Sequence, residues 1–172
     1  MHWYPAYVGL GSNLDEPAQR VAEALGALQQ LPDSLVVAYS SLYGSHPMGP
    51  VLQADFCNAV AGMLTRLPAL EFLRALRSLE QLLGRQPPRE RWGPRRIDLD
   101  LLVHGSEQLT SDELTVPHPG IVQRNFVLYP LAEVAPDLLI PGLGRVADLL
   151  RGVSSNGLWR LDGQTLPATV YA

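Results

Sequence analysis

The sequence predicts an α+β fold, a ferredoxin-like βαββαβ core followed by extra C-terminal strands and short helices. Two observations carry this. Strand-like and helix-like stretches follow one another in that order as far as His104. A chain of 172 residues, 47% apolar and 17% charged, has the size and composition of one globular domain, residues 1–172. Folding a chain of this size buries roughly 70% of its surface, enough for a core without staples.

Tyr4 to Gly11 reads as the first strand, rich in aromatic and apolar residues, and Gly11-Ser12-Asn13 breaks it. Asp15 can cap a helix whose first turn suits Pro17. Val21, Leu25 and Leu28 recur at i, i+4 and i+7, which predicts a helix to about Leu31. Leu35 to Tyr43 reads as the second strand, and a Gly/Pro-dense loop follows. Asn58 to Thr65 is the third strand. Pro68 opens a second helix with Phe72, Leu76, Leu79 and Leu83 on one stripe and Gly84 at its C′ position. Ile97 to His104 is the fourth strand. Beyond it, Val116 to Gly120 is loop, and Phe126–Val134 and Val146–Leu150 read as short helical pieces. From Gly152 onward the chain reads as a peripheral tail.

Composition removes several function classes. All thirteen basic residues are arginine, so a Walker A lysine or a Schiff-base lysine is excluded. Cys57 is the single cysteine, which excludes an internal disulfide framework and a multi-cysteine zinc site. A net charge of -4 argues against nucleic acid as a partner. No apolar run reaches a membrane span, and no basic, apolar leader precedes Tyr4, so the expected location is cytoplasmic. Five of the arginines (Arg85, Arg89, Arg91, Arg95 and Arg96) lie within twelve residues. A cationic loop on an acidic chain points to a small anionic ligand.

The strand Ile97-Asp98-Leu99-Asp100-Leu101-Leu102-Val103 has two unlike faces. Ile97, Leu99, Leu101 and Val103 read as one apolar face, and Asp98 and Asp100 share the other, about 7 Å apart along the strand. Paired carboxylates repel unless a positive group sits between them, either an arginine or hard cations such as Mg²⁺. The arginine loop stands directly upstream, so phosphorus-group transfer from a nucleotide fits this pattern. Phe56 and Asn58, at i and i+2, can face one way, and an aromatic beside an amide suits a flat heterocycle. A sugar-nucleotide transferase using the D-x-D pair and an RNA-binding sheet are the alternatives. The absence of a βαβ series opposes the first, and the acidic charge opposes the second.

Together these segments resemble the 6-hydroxymethyl-7,8-dihydropterin pyrophosphokinase family. The resemblance is carried by Gly11-Ser12-Asn13-Leu14, Ser45-His46-Pro47-Met48-Gly49-Pro50 and Asp55-Phe56-Cys57-Asn58-Ala59. It continues through Arg91-Trp92-Gly93-Pro94-Arg95-Arg96-Ile97-Asp98-Leu99-Asp100 and Leu114-Thr115-Val116-Pro117-His118-Pro119, over about residues 5–150. It implies transfer of the β,γ-pyrophosphoryl unit of ATP to the hydroxymethyl group of a reduced pterin, leaving AMP, by a monomer without nucleic-acid or membrane partners. It implies two Mg²⁺ on Asp98 and Asp100, with Arg85 and Arg95 joining them in catalysis. Glu80, Arg85, Arg91, Trp92, Arg95, Leu101, Thr115, His118 and Arg124 would line the ATP site. Ser45, His46, Pro47, Met48, Phe56, Asn58, Trp92 and Phe126 would hold the pterin. The chain departs from the family at Gln86-Pro87-Pro88 and at Glu113, where basic residues are common, and at His46-Pro47, where two prolines are common.

Overall fold

The computed structural model describes residues 2–84, 96–163 and 166–167. Its main sheet is wholly antiparallel. Strand β1 (Tyr4–Ser12) lies between β4 (Phe56–Thr65) and β5 (Asp98–His104). On the far side of β4 lie β2 (Ser34–Tyr39) and β3 (Leu42–Ser45). Helix α1 (Pro17–Leu28) joins β1 to β2, and α2 (Ala69–Leu82) joins β4 to β5. This is the βαββαβ order that the sequence predicts, with its second strand divided into β2 and β3.

Strand alternation divides the sheet into two faces. Ala6, Val8 and Leu10 of β1 and Cys57, Ala59, Ala61 and Met63 of β4 point to one core. The apolar stripes of α1 and α2 close it, with Leu25, Leu28, Phe72 and Leu76 fully buried. Val60 and Leu102 point to a second core on the opposite face. That core is built with Leu128 and Leu131 of α3 (Asn125–Val134) and Val146 of α4 (Val146–Leu150). The second core covers only part of its face. Toward the ends of β1, β4 and β5 where Gly11, Asn58 and Asp98 lie, the sheet is left open to a cavity.

Four local expectations change. Helix α1 ends at Leu28, three residues short of Leu31. Asp15 does not cap it; it adopts φ 52° and pairs with Arg96 at 3.5 Å. The stretch Leu35–Tyr43 is two strands. Its register on β4 shifts between Val36 and Ala38, and the stretch breaks at Ser40, whose N–H donates to Val60 O while its Oγ accepts Val60 N–H. Small hydroxyl residues compete with a ladder in this way. On β5 the register shifts between the partners of Tyr7 and Val8, after Leu101. Past that irregularity Val103 faces the second core, so it does not share the face of Leu99 and Leu101.

The region after Gly152, expected as a peripheral tail, supplies strand β10 (Leu158–Leu161) at the edge of the main sheet, pairing with β3. Short pairs β6–β7 (Leu109–Thr110 with Thr115–Val116) and β8–β9 (Leu139–Ile140 with Gly144–Arg145) complete the strands.

A candidate nucleotide and pterin site on the open face

Three strands lay out the floor in register. Gly11 sits between Asn58 on β4 and Asp98 on β5; Gly9 sits between Val60 and Asp100. All six face away from α1 and α2 by strand alternation. Glycine inside a strand marks a close approach. A Cβ on Gly11 would meet Asn58 Oδ1 at 3.1 Å, and one on Gly9 would meet Leu102 at 3.4 Å. The two glycines leave a flat floor between the amide and the two carboxylates.

Over this floor lies a cavity of about 470 Å³. Ser45, His46, Met48, Phe56 and Asn58 wall one end, and Asp98, Asp100, His118 and Arg124 wall the other. Phe126 of α3 closes over them. Ten residues predicted from sequence therefore meet in one place. Asn58 is buried, and its Nδ2 donates to Ser45 Oγ at 2.7 Å. Its remaining N–H and its Oδ1 give a donor and an acceptor side by side. The guanidinium of Arg124 lies 5.9 Å from the Phe126 ring centroid.

The Gly11-Ser12-Asn13 string shapes the surrounding loops. Ser12 Oγ donates to Arg96 O, and Asn13 Nδ2 donates to Gln53 Oε1 (2.8 Å) and Ala54 O (3.0 Å). One residue triplet thus ties both the loop before β4 and the entry to β5.

His118 Nδ1 accepts the Gly120 N–H at 3.0 Å, so Nε2 carries the proton of the neutral ring. Burial lowers the His118 pKa below its ordinary value, and Arg124 and Arg77 lower it further against the opposing charge of Asp100. A neutral Nε2–H donor beside Arg124 and Arg77 suits an anionic ligand.

Glu80 and Leu101, which the resemblance places at the ATP site, lie off the cavity wall. Glu80 is 1% exposed. Its Oε2 accepts Leu99 N–H at 2.8 Å, and its Oε1 accepts Arg77 Nη1 at 2.8 Å. Arg77 Nη1 also donates to Leu99 O at 2.9 Å. Strand β5 is the sheet edge, and this pair satisfies Leu99 where the next strand would. The residue braced is the one between Asp98 and Asp100. Leu101 is buried in the first core. Thr115 lies in β7, half-buried, and Pro47 is half-buried beside His46 and Met48. Glu113 forms a two-pronged exposed pair with Arg74 at 3.0 and 3.1 Å. Arg85, Arg89, Arg91, Trp92 and Arg95 lie outside the described residues.

Sequence reasoning missed Gly9, Arg77 and Val127, which also line the cavity. Arg77 was legible in principle. It stands one turn before Glu80 at i, i+3, so the two share a helix face.

A family model described as 7,8-dihydro-6-hydroxymethylpterin-pyrophosphokinase (HPPK) matches residues 7–136. The chain belongs to this family. It is 45% identical over 157 residues to the 2-amino-4-hydroxy-6-hydroxymethyldihydropteridine pyrophosphokinase of Pseudomonas aeruginosa, covering 91% of this chain and 96% of that one. The enzyme of the same name from Haemophilus influenzae is 40% identical, with 91% and 98% covered. Among solved structures, wild-type Plasmodium falciparum HPPK-DHPS gives a TM-score of 0.67 at 13% identity, covering 88% of this chain. An HPPK-DHPS in complex with substrates gives 0.66 at 11% identity, covering 87%. This chain spans 43% of each of those two longer chains, and at that identity the likeness concerns the fold.

Proposed function

We propose that the 172-residue chain is a single pyrophosphokinase domain. It transfers the β,γ-pyrophosphoryl unit of ATP to 6-hydroxymethyl-7,8-dihydropterin, giving the pterin diphosphate and AMP in folate biosynthesis. The observation that carries this reading is the row Asn58–Gly11–Asp98, which sets a heterocycle-binding amide one strand-width either side of a glycine from a phosphate-side carboxylate. Family membership supports it through relatives covered almost end to end.

The pterin end is the one with Ser45, His46, Pro47, Met48, Phe56, Asn58 and Phe126, the last able to stack on the ring plane. Asn58 offers the paired donor and acceptor that a pterin edge needs. The nucleotide lies toward His118, Arg124, Thr115 and Arg77. Leu101 has the parity of Leu99 along the open edge of β5, so its backbone can pair a purine as an added strand would. Arg85, Arg91, Trp92 and Arg95 would close the phosphate side, with Trp92 reaching the pterin. Glu80 acts through Leu99 and Arg77.

Asp98 and Asp100 are the residues to hold Mg²⁺. They fit on their chemistry: two half-buried carboxylates on one face of a rigid strand, with side-chain-free glycines opposite. Among the described residues no group of three or more acidic, His or Cys side chains is placed to hold a metal ion, so the other ligands of two ions would be triphosphate and water oxygens. Bound Mg²⁺ would neutralise the triphosphate and acidify the attacking hydroxyl. The pterin hydroxyl oxygen forms the new bond to Pβ, the Pα–O–Pβ bridge breaks, AMP departs, and the hydroxyl proton is lost with Asp100 assisting. Arg124 and the His118 Nε2–H hold the anion without being consumed. Catalysis is then positioning and charge neutralisation.

The proposed acting unit is a monomer, and the proposed setting is the cytoplasm. No helix among the described residues is long and apolar enough to cross a membrane. Phosphorus NMR of a reaction of ATP, Mg²⁺ and the pterin tests the reaction type. AMP together with a coupled diphosphate doublet pair on the pterin is expected. ADP with a pterin monophosphate would overturn the reading, and chelation with EDTA should stop the reaction.

A further inference from the structure

The segment 153–161 has no role in the reading so far, yet it touches both walls of the pterin end. Helix α3 is tied to β3 at two places. Away from the cavity the tie is direct: Glu133 accepts the Tyr43 hydroxyl at 2.6 Å and the N–H and Oγ of Ser41 at 2.9 and 2.8 Å. At the start of α3 the cavity stands between helix and sheet. The C-terminal segment spans that gap instead.

On the helix side, Asn125 Nδ2 donates to Ser154 O and Asn156 O, both at 2.9 Å, and the Tyr129 hydroxyl donates to Val153 O at 2.7 Å. On the sheet side, His46 N–H donates to Gly157 O at 3.2 Å, and β10 pairs Leu158 with Ser45 and Trp159 with Gly44. The Trp159 ring lies on Gly44, where a Cβ would fall 2.3 Å from it, and 5.1 Å from the His46 ring. Asn125 is the neighbour of Phe126, and Ser45 and His46 line the facing wall.

We infer that Asn125 is a positioning residue which, through the 153–161 segment, fixes the spacing between Phe126 and the Ser45–His46 wall and so tunes pterin binding. It touches neither substrate in this account. The inference rests on the pterin reading of that end of the cavity.

The test is Asn125→Asp, which keeps the shape but turns an acceptor on two carbonyls. Misplacing one wall of a site should raise the pterin KM on the order of tenfold. The KM for ATP should stay within about twofold, because His118, whose N–H donates to Leu102 O, and Asp100 on β5 are held by other elements. Asn125→Gln, which restores a donor, should recover part of the loss. Hydrogen exchange provides a readout independent of turnover: the His46 and Leu158 amides should exchange faster in Asn125→Asp, with β1 and β5 unchanged. Should that variant not fold, Trp159→Leu reads the same split. Equal rises in both KM values would overturn the inference, as would an unchanged pterin KM or unchanged exchange at His46. If the wild-type chain makes no pterin-dependent AMP, the functional reading fails instead, and the exchange result still stands on its own.

Discussion

The two faces of strand β1 show how one strand serves two purposes. Toward α1 and α2 it presents Ala6, Val8 and Leu10, all buried in a closed core. Toward α3 it presents Tyr7, then Gly9 and Gly11. The first face is filled, and the second is emptied where the cavity lies. Burial on the first face holds the row Asn58–Gly11–Asp98 rigid, while the second face spends its stability on leaving room. Side chains on the helix face should therefore control stability, and those on the cavity face should control activity.

The largest effect is expected from Phe72→Ala. The ring is fully buried under the sheet, so its loss should cost about 3–5 kcal/mol of stability. Urea unfolding measures this, and KM values for the folded fraction should hold. Next comes Asp100→Asn on the cavity face. Turnover should fall about 10²–10³-fold, as for other electrostatic stabilisers, while the urea midpoint barely moves. Gly11→Val should come third. A branched side chain would press on Asn58 Oδ1, weakening pterin binding on the order of tenfold with a stability cost of about 1–3 kcal/mol. If Gly11→Val left pterin binding untouched, the floor would not be where the ligand lies.

The smallest effect concerns Glu133, which ties α3 to the sheet. Desolvation raises its pKa, but hydrogen bonds from Tyr43 and Ser41 and the charge of Arg160 outweigh it, so the net shift is downward. A depressed carboxylate contributes stability above its unfolded pKa and loses it as pH falls through the folded one. Glu133→Gln should therefore cost most near neutral pH and nothing below the folded value. The cost should be about 1 kcal/mol or less, because the side chain is 31% exposed and screened. A cost that grew toward acid would contradict the sign. The partner Tyr43 hydroxyl, pushed up to about 12 by burial and by Glu133, stays protonated throughout.

The parts legible in sequence are those set by local period and by chemistry. Alternation placed Asp98 and Asp100 on one face and Phe56 and Asn58 on another strand's matching face, and the register brings all four to one cavity. What escaped depends on pairing between strands. The breaks at Ser40 and after Leu101 arise from register on β4 and β1, so Val103 changes face without any change in its own pattern. Strand β10 is short, half exposed and lacks a clean alternation. Only its pairing with β3 makes it a strand. The brace from Glu80 and Arg77 to Leu99 answers an open sheet edge, and an edge is a property of topology that no local window contains.

The most direct test is AMP formation from ATP and Mg²⁺ with and without 6-hydroxymethyl-7,8-dihydropterin, in the wild-type chain and in Asp98→Asn. The account predicts AMP that appears only with the pterin and falls steeply in a folded Asp98→Asn. AMP formed equally without the pterin, or at a normal rate in Asp98→Asn, would contradict it.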